Sequence, residues 1–215
     1  MQKDAFWKRV GMTIWGTIGT AIGCGLLKFA DLGMDPFNAM VTGIANLSGM
    51  QYGMAFTLVT ALFLILTLIF DKHYIGIATL LGLFLFGYVV QYTLVLLNIL
   101  FPSADMFLRI ITLVFGLLLI SAASSLYFTA NMGVSAYDAT SLIAADKSPL
   151  PFRVCRIISD VTCVILGFTF NATIGIGTII TAFFLGPAID FFNKQLAEPF
   201  LYGKGHGEKI NHLNK

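Results

Sequence analysis

Charge is what this sequence has least of. Lysine, arginine, aspartate and glutamate make up 11% of 215 residues, where about 25% is usual in a soluble domain. So few charges cannot cover the surface of a water-soluble fold of this size, which excludes a cytosolic enzyme, a secreted disulfide domain and a disordered chain together. Cysteine is scarce too. Cys24, Cys155 and Cys163 form no CxxC pair and lie in or beside apolar runs, so they read as buried free thiols, not as a disulfide framework or a metal site. The net charge is only +2, with the basic residues dispersed, and nucleic acid is excluded as a partner. HExxH, GxSxG, a Walker A loop and any Cys/His cluster are all missing. The chain reads as a non-enzyme with no cofactor, and ATP would enter only through a partner protein.

What is present is apolar. Hydrophobic residues account for 57% of the chain, and 21 glycines add to that share. A spanning helix needs about 20 mostly apolar residues. Six segments qualify: Val10–Phe29, Tyr52–Phe70, Ile75–Phe101, Phe107–Thr129, Arg153–Phe170 and Ile174–Phe192. The first follows Lys8 and Arg9 as a signal peptide would, but it is too long for one and has no cleavage site, so it reads as an uncleaved helix. With the N-terminus cytoplasmic, eleven Lys/Arg residues fall on that side and only Lys28 and Arg109 on the other. The bias predicts a multi-pass protein of the plasma membrane with both termini cytoplasmic. The polar stretch from Gly203 onward is read as a disordered tail, and His206 and His212 within it as solvated.

The two halves resemble each other. At an offset of 100 residues, the run from Ala30 to Ala39 aligns with that from Ala130 to Ala139, Gly16 with Gly116 and Arg9 with Arg109. At an offset of 99, Ile75–Thr79 aligns with Ile174–Thr178. Two motifs in the same order at nearly one offset indicate a duplication. The expectation is a single all-α membrane domain over 1–215. It holds two three-helix repeats, residues 10–98 and 110–193, each with a short capped half-helix after its first span. An odd number of spans inverts the second copy, which would put Asp35–Asn38 and Ser135–Asp138 on opposite sides of the molecule. Transporters built this way hold their sites at the repeat interface.

The pattern A-x-L-G-x-x-P-x-[ND] (Ala30–Asn38, copied at Ala130–Asp138), G-x-[AG]-T (Gly76–Thr79 and Gly175–Thr178) and R-x-x-R-x-x-x-[DE] (Arg153 to Asp160) resembles the YczE/YyaS/YitT-type family of bacterial multi-pass membrane proteins. The likeness covers roughly residues 10–193. It departs at Asp160, where glutamate is commoner, and at Ala136, where proline is frequent. The resemblance implies a helical fold in a bacterial cytoplasmic membrane, and transport only by analogy.

Asp35-Pro36-Phe37-Asn38 reads as an N-cap followed by proline at the first helical position, and Ser135-Ala136-Tyr137-Asp138 repeats it. Two readings stay open: a capped interfacial helix over the end of the bundle, or a broken helix whose N-terminus points at substrate. Asp160 lies seven residues beyond Arg153, about 10 Å deeper along a helix, and an ionisable group there marks a pathway or a structural lock with Arg156 four residues earlier. Thr79 and Thr178 open helices after glycine-bearing loops, where a hydroxyl can bond exposed amides. Gly19 and Gly23 form a GxxxG packing seam. Gly186-Pro187 predicts a kink, and Lys28 is expected to snorkel outward. Candidate substrate or coupling residues are therefore Asp35, Asn38, Thr79, Tyr137, Asp138, Arg156, Asp160 and Thr178.

Three functions compete. The first is a small secondary transporter or permease for a small polar molecule, with the lipid bilayer as its surroundings. The second is a substrate-binding membrane subunit served by separate ATPases. The third is a membrane scaffold or assembly factor. Homo-oligomerisation is left open.

Overall fold

The computed structural model describes residues 2–150 and 152–202. The tail read as disordered, 203–215, lies outside the described residues, as do His206 and His212. Eight helices, named here α1 to α8, account for the architecture: α1 Gln2–Ala30, α2 Pro36–Ser48, α3 Tyr52–Phe70, α4 Ile77–Leu100, α5 Met106–Ala130, α6 Ala136–Lys147, α7 Phe152–Thr169 and α8 Ile176–Tyr202. No strand occurs among the described residues. Leu62, Ile69, Phe107, Phe168, Phe183 and many other large apolar side chains are exposed, far more than a soluble monomer leaves uncovered. This is an all-helical membrane protein.

Five helices (α1, α3, α4, α5 and α8) are long and apolar enough to cross a membrane. The sixth expected span is the helix α7, 18 residues long, but Arg153, Arg156 and Asp160 give it too much charge to qualify by composition. The third span begins two residues later than the hydropathy indicated, because Gly76 caps it. The last runs ten residues further, through Pro187 and a π-helical turn at Asn193–Ala197. A second π turn, Gly82–Phe86, interrupts α4. Such turns widen the hydrogen-bonding ladder locally and occur mostly as single turns within α-helices.

The halves pack reciprocally. Helix α1 lies along α5, α2 packs on α7 as α6 packs on α3, and α1 meets α4 as α5 meets α8. The GxxxG seam is used inside the molecule: a Cβ on Gly19 would stand 2.8 Å from the Ala123 Cβ, and one on Gly23 3.0 Å from the Gly116 carbonyl oxygen. The aligned arginines each hold an end of the opposite half. Arg9 Nη1 donates to the Ala130 carbonyl at 2.8 Å, and Arg109 pairs with Asp31 at 3.6 Å.

The connecting loops interlock in the same reciprocal way. After α1 the chain turns through Asp31 (φ 52°) and Gly33 (φ 102°); after α5 it turns through Asn131 (φ 50°) and Gly133 (φ 98°). The Gly177 amide donates to the Leu32 carbonyl at 2.8 Å, and the Ala78 amide to the Met132 carbonyl at 3.1 Å. Positive φ suits glycine, and the aspartate and asparagine are among the few other residues that enter this region readily. These turns send the chain back into the bundle, so that α2 and α6 start deep inside it.

Two expectations are corrected here. Asp35–Asn38 and Ser135–Asp138 do not lie on opposite sides. Phe37 stacks on Tyr137 with ring centroids 4.7 Å apart, so the N-termini of α2 and α6 face each other across the centre. Their C-terminal parts diverge: Asn46 Nδ2 reaches the Asn171 carbonyl, and Lys147 Nζ that of Phe70. The N-termini of these two helices therefore sit inside the bundle rather than over its end. Lys28, expected to reach outward, turns inward instead. Its ammonium donates to Thr42 Oγ1 at 2.8 Å and sits 4.6 Å from the Tyr52 ring centroid, because a hydroxyl and an aromatic face are available one helix away.

Candidate functional site

The convergence of α2 and α6 leaves a cavity of about 230 Å³ bounded by α1, α3, α4, α5, α7 and α8 as well. That is smaller than most drug-sized sites. Its wall is mixed. Phe37, Phe56, Phe86, Ile120 and Leu185 supply apolar surface, while hydroxyls, two carboxylates and one guanidinium supply polar groups.

On one side stands the cap of α2. The Asn38 amide donates to Asp35 Oδ1 at 3.1 Å and Asn38 Nδ2 to Oδ2 at 2.6 Å. The Cys24 thiol lies 4.0 Å from the same Oδ2. The Tyr52 hydroxyl in turn donates to Asn38 Oδ1. Asn38 is 4% exposed, so its orientation is fixed by these partners. Among the described residues no lysine or arginine forms an ion pair with Asp35.

On the other side stands the cap of α6. The Asp138 amide donates to Ser135 Oγ at 3.1 Å, and that hydroxyl donates to Asp138 Oδ2 at 2.8 Å. Arg156, reaching in from α7, is shared. Its Nη1 pairs with Asp138 Oδ1, its Nε with Asp160 Oδ2 at 3.3 Å, and its plane lies over the Tyr137 ring at 4.6 Å. The Tyr137 hydroxyl donates to Asp160 Oδ1 at 2.7 Å. One guanidinium is thus held by two carboxylates and an aromatic face, a geometry that arginine's planar fork permits and lysine's point charge would not.

Of the eight candidate residues, Asp35, Asn38, Thr79, Tyr137, Asp138 and Arg156 line the cavity. Asp160 stands behind Arg156 and Tyr137 and positions both. The expected pair with Arg156 is present, but the carboxylate facing the cavity is Asp138. Thr79 donates to the Val134 carbonyl at 2.6 Å and accepts from the Gly76 amide at 3.1 Å, locking the α4 start to the loop before α6. Its counterpart Thr178 is buried at the matching junction beside Gly33 but does not line the cavity.

The candidates had omitted Thr17, Thr20, Thr60, Ser124 and Tyr127, all on the cavity wall. Polar residues in otherwise apolar spans were the available signal, but Thr and Ser can bond the preceding turn of their own helix, and many here do. Three do not fit that explanation: the hydroxyls of Thr17, Thr60 and Tyr127 are buried with no hydrogen-bond partner. Buried polar groups are nearly always paired, and these three keep bonding capacity at the cavity wall.

Sequence comparison places the chain in a family. Three relatives are each covered over most of their length. An uncharacterized protein of Haemophilus influenzae (strain ATCC 51907 / DSM 11121 / KW20 / Rd) is 25% identical over 193 residues, 90% of this chain and 87% of the relative. The uncharacterized protein YyaS of Bacillus subtilis (strain 168) is 25% identical, over 86% of this chain and 92% of its own. The uncharacterized membrane protein YczE of the same organism is 24% identical, over 82% and 81%. No solved structure matches the chain. The match to the family model runs over residues 7–194, through both caps and the cavity they enclose, and the chain belongs to the family of unknown function DUF6198.

Proposed function

We propose that the chain is a small secondary transporter or permease of the bacterial cytoplasmic membrane, with its site at the interface between two inverted repeats. The observation that carries this reading is the cavity between the facing half-helices, walled by residues of both halves and lined by buried hydroxyls without partners. Half-helix N-termini that meet near mid-membrane are a recurrent device of transporters, where backbone that leaves the regular helix is tolerated because it lines a cavity. In this reading α7 is the sixth crossing. Arg156 turns to the cavity with Asp160 paired behind it, while Ile157, Ile158, Val161 and Ile165, all exposed, face lipid. Both termini are then cytoplasmic, and α2 and α6 enter from opposite faces.

The loop interlocks supply the element that would move. Each half grips the other through paired glycine contacts with little side-chain bulk, an arrangement suited to rocking of one repeat against the other. The test uses sealed vesicles holding the purified protein alone, an imposed pH or sodium gradient, and a panel of labelled small polar solutes. Gradient-dependent accumulation of at least one solute is expected. Uptake indistinguishable from protein-free vesicles across the panel, with co-purifying ATPase subunits restoring it, would move the assignment to an energy-borrowing binding subunit.

A further inference from the structure

The charges around the cavity do not cancel. Asp35, Asp138 and Asp160 contribute three negative charges when ionised, and Arg156, shared between Asp138 and Asp160, contributes one positive charge. The N-termini of α2 and α6 both point at the cavity, and each carries the equivalent of roughly half a positive charge. The balance is about one uncompensated negative charge, in a region where burying one costs several kcal/mol. Asp35 is where it resides. Its hydrogen bonds among the described residues come from the Asn38 amide and side chain and from the Cys24 thiol at 4.0 Å, none of them from a cation.

We propose that the cavity takes one monovalent organic cation, a protonated amine on a small apolar body, in exchange for a proton held at Asp35. The proposal deepens the transport reading and rests on it. Charge balances in each state: the empty site holds Asp35 as its neutral acid, and the loaded site holds the carboxylate against the ligand's ammonium, with the proton released to water. An ammonium offers up to three N–H donors and no acceptor. The unpartnered hydroxyls of Thr17, Thr60 and Tyr127 have lone pairs to receive them. The Phe56 and Phe86 rings on the same wall suit the ligand's apolar body. A dicarboxylate or phosphate would meet Asp35 and Asp138 directly, with Arg156 already engaged, so an anion is disfavoured despite the two helix N-termini.

Other titratable groups around Asp35 do not replace it in this role. On α1, Cys24 is a thiol and Lys28 is held by Thr42 and the Tyr52 ring. On α3, the Tyr52 phenol donates to Asn38. On α6, Tyr137 donates to Asp160 while Asp138 is tied to Arg156 and Ser135. On α7, Cys163 donates to the Tyr137 hydroxyl at 3.7 Å.

Equilibrium binding to the purified full chain tests the assignment, with benzylamine, tetramethylammonium, benzyl alcohol and benzoate as probes. Both cations are expected to bind, with close to one proton released per ligand in buffers of differing ionisation enthalpy. Where the proton competes, their affinity rises by up to about tenfold per pH unit. Asp35→Asn keeps an N-cap residue of equal quality, so the fold survives; it should weaken both cations by more than about tenfold and abolish proton release. Should that variant fail to fold, Thr60→Val serves instead. It is expected to weaken benzylamine severalfold and spare tetramethylammonium, which has no N–H donor. Benzoate or benzyl alcohol binding as tightly as benzylamine, no probe binding at all, or unchanged cation binding and proton release in the folded Asp35→Asn variant would each overturn the proposal. Cation binding without uptake in vesicles would instead overturn transport and leave the site standing.

Discussion

Replacing Gly133 by alanine isolates the interlock between the halves. Gly133 has φ 98°, and a Cβ there would stand 2.6 Å from both the backbone nitrogen and the Cα of Gly76. The first feature costs about 1–2 kcal/mol for an L side chain in left-handed backbone. The second forces one backbone away from another, and overpacking of that kind costs about 1–3 kcal/mol. The total is about 2–5 kcal/mol, because neither strand of the contact has a flexible side chain that can move aside. Thermal unfolding is read by a thiol-reactive dye, since Cys24, Cys155 and Cys163 are all buried and free and react only as the bundle opens. Gly133→Ala should lower the midpoint by on the order of 10 °C. Gly33→Ala should do the same, as its Cβ would lie 2.7 Å from the Gly175 nitrogen at φ 102°. Gly11→Ala is the control: nothing lies within 4 Å of its added Cβ, and alanine is the better helix former by about 1 kcal/mol. A Gly133→Ala midpoint equal to that of Gly11→Ala would refute the interlock.

Removing the guanidinium with Arg156→Met should destabilise the fold by about 3–5 kcal/mol, because two carboxylates lose their cation. Replacing Asp160 as well is expected to restore only part of this, and Asp138→Asn added to the pair to restore most. Full recovery in the Arg156/Asp160 double variant would show that Asp138 does not share the arginine. Tyr137→Phe retains the stack on Phe37 and loses the hydroxyl bound to Asp160, for an expected loss of about 1–3 kcal/mol; an unchanged midpoint would sink the positioning role. For topology, single cysteines at Ser103 and His73, both in exposed loop positions, should be labelled from the outside and the inside of intact cells respectively. Reversed labelling would invert the orientation, and labelling of both from one side would remove a crossing.

Much of this architecture was already in the sequence. Hydropathy alone identifies a multi-pass helical protein, since lipid-facing helices must be apolar along their length. The likeness of the two halves is legible because both carry the turn residues that positive φ demands: Gly33 and Gly133, Asp31 and Asn131. The caps at Asp35 and Ser135 were equally plain, as helix termini leave free amides that short polar side chains satisfy. Tertiary structure alone decided where those caps point. A capped helix reads the same at the rim of a bundle or at its centre, and only the threading of residues 31–35 past Gly175 and of 131–135 past Gly76 brings Phe37 onto Tyr137. Asp138 rather than Asp160 faces the cavity for a similar reason. The spacing of Arg156 and Asp160 predicts their pairing within one helix, but not that a second carboxylate, 18 residues earlier on another helix, reaches the same arginine. Thr17, Thr60 and Tyr127 were invisible as site residues because a hydroxyl in an apolar span normally bonds its own helix, and whether it does is settled by what packs beside it.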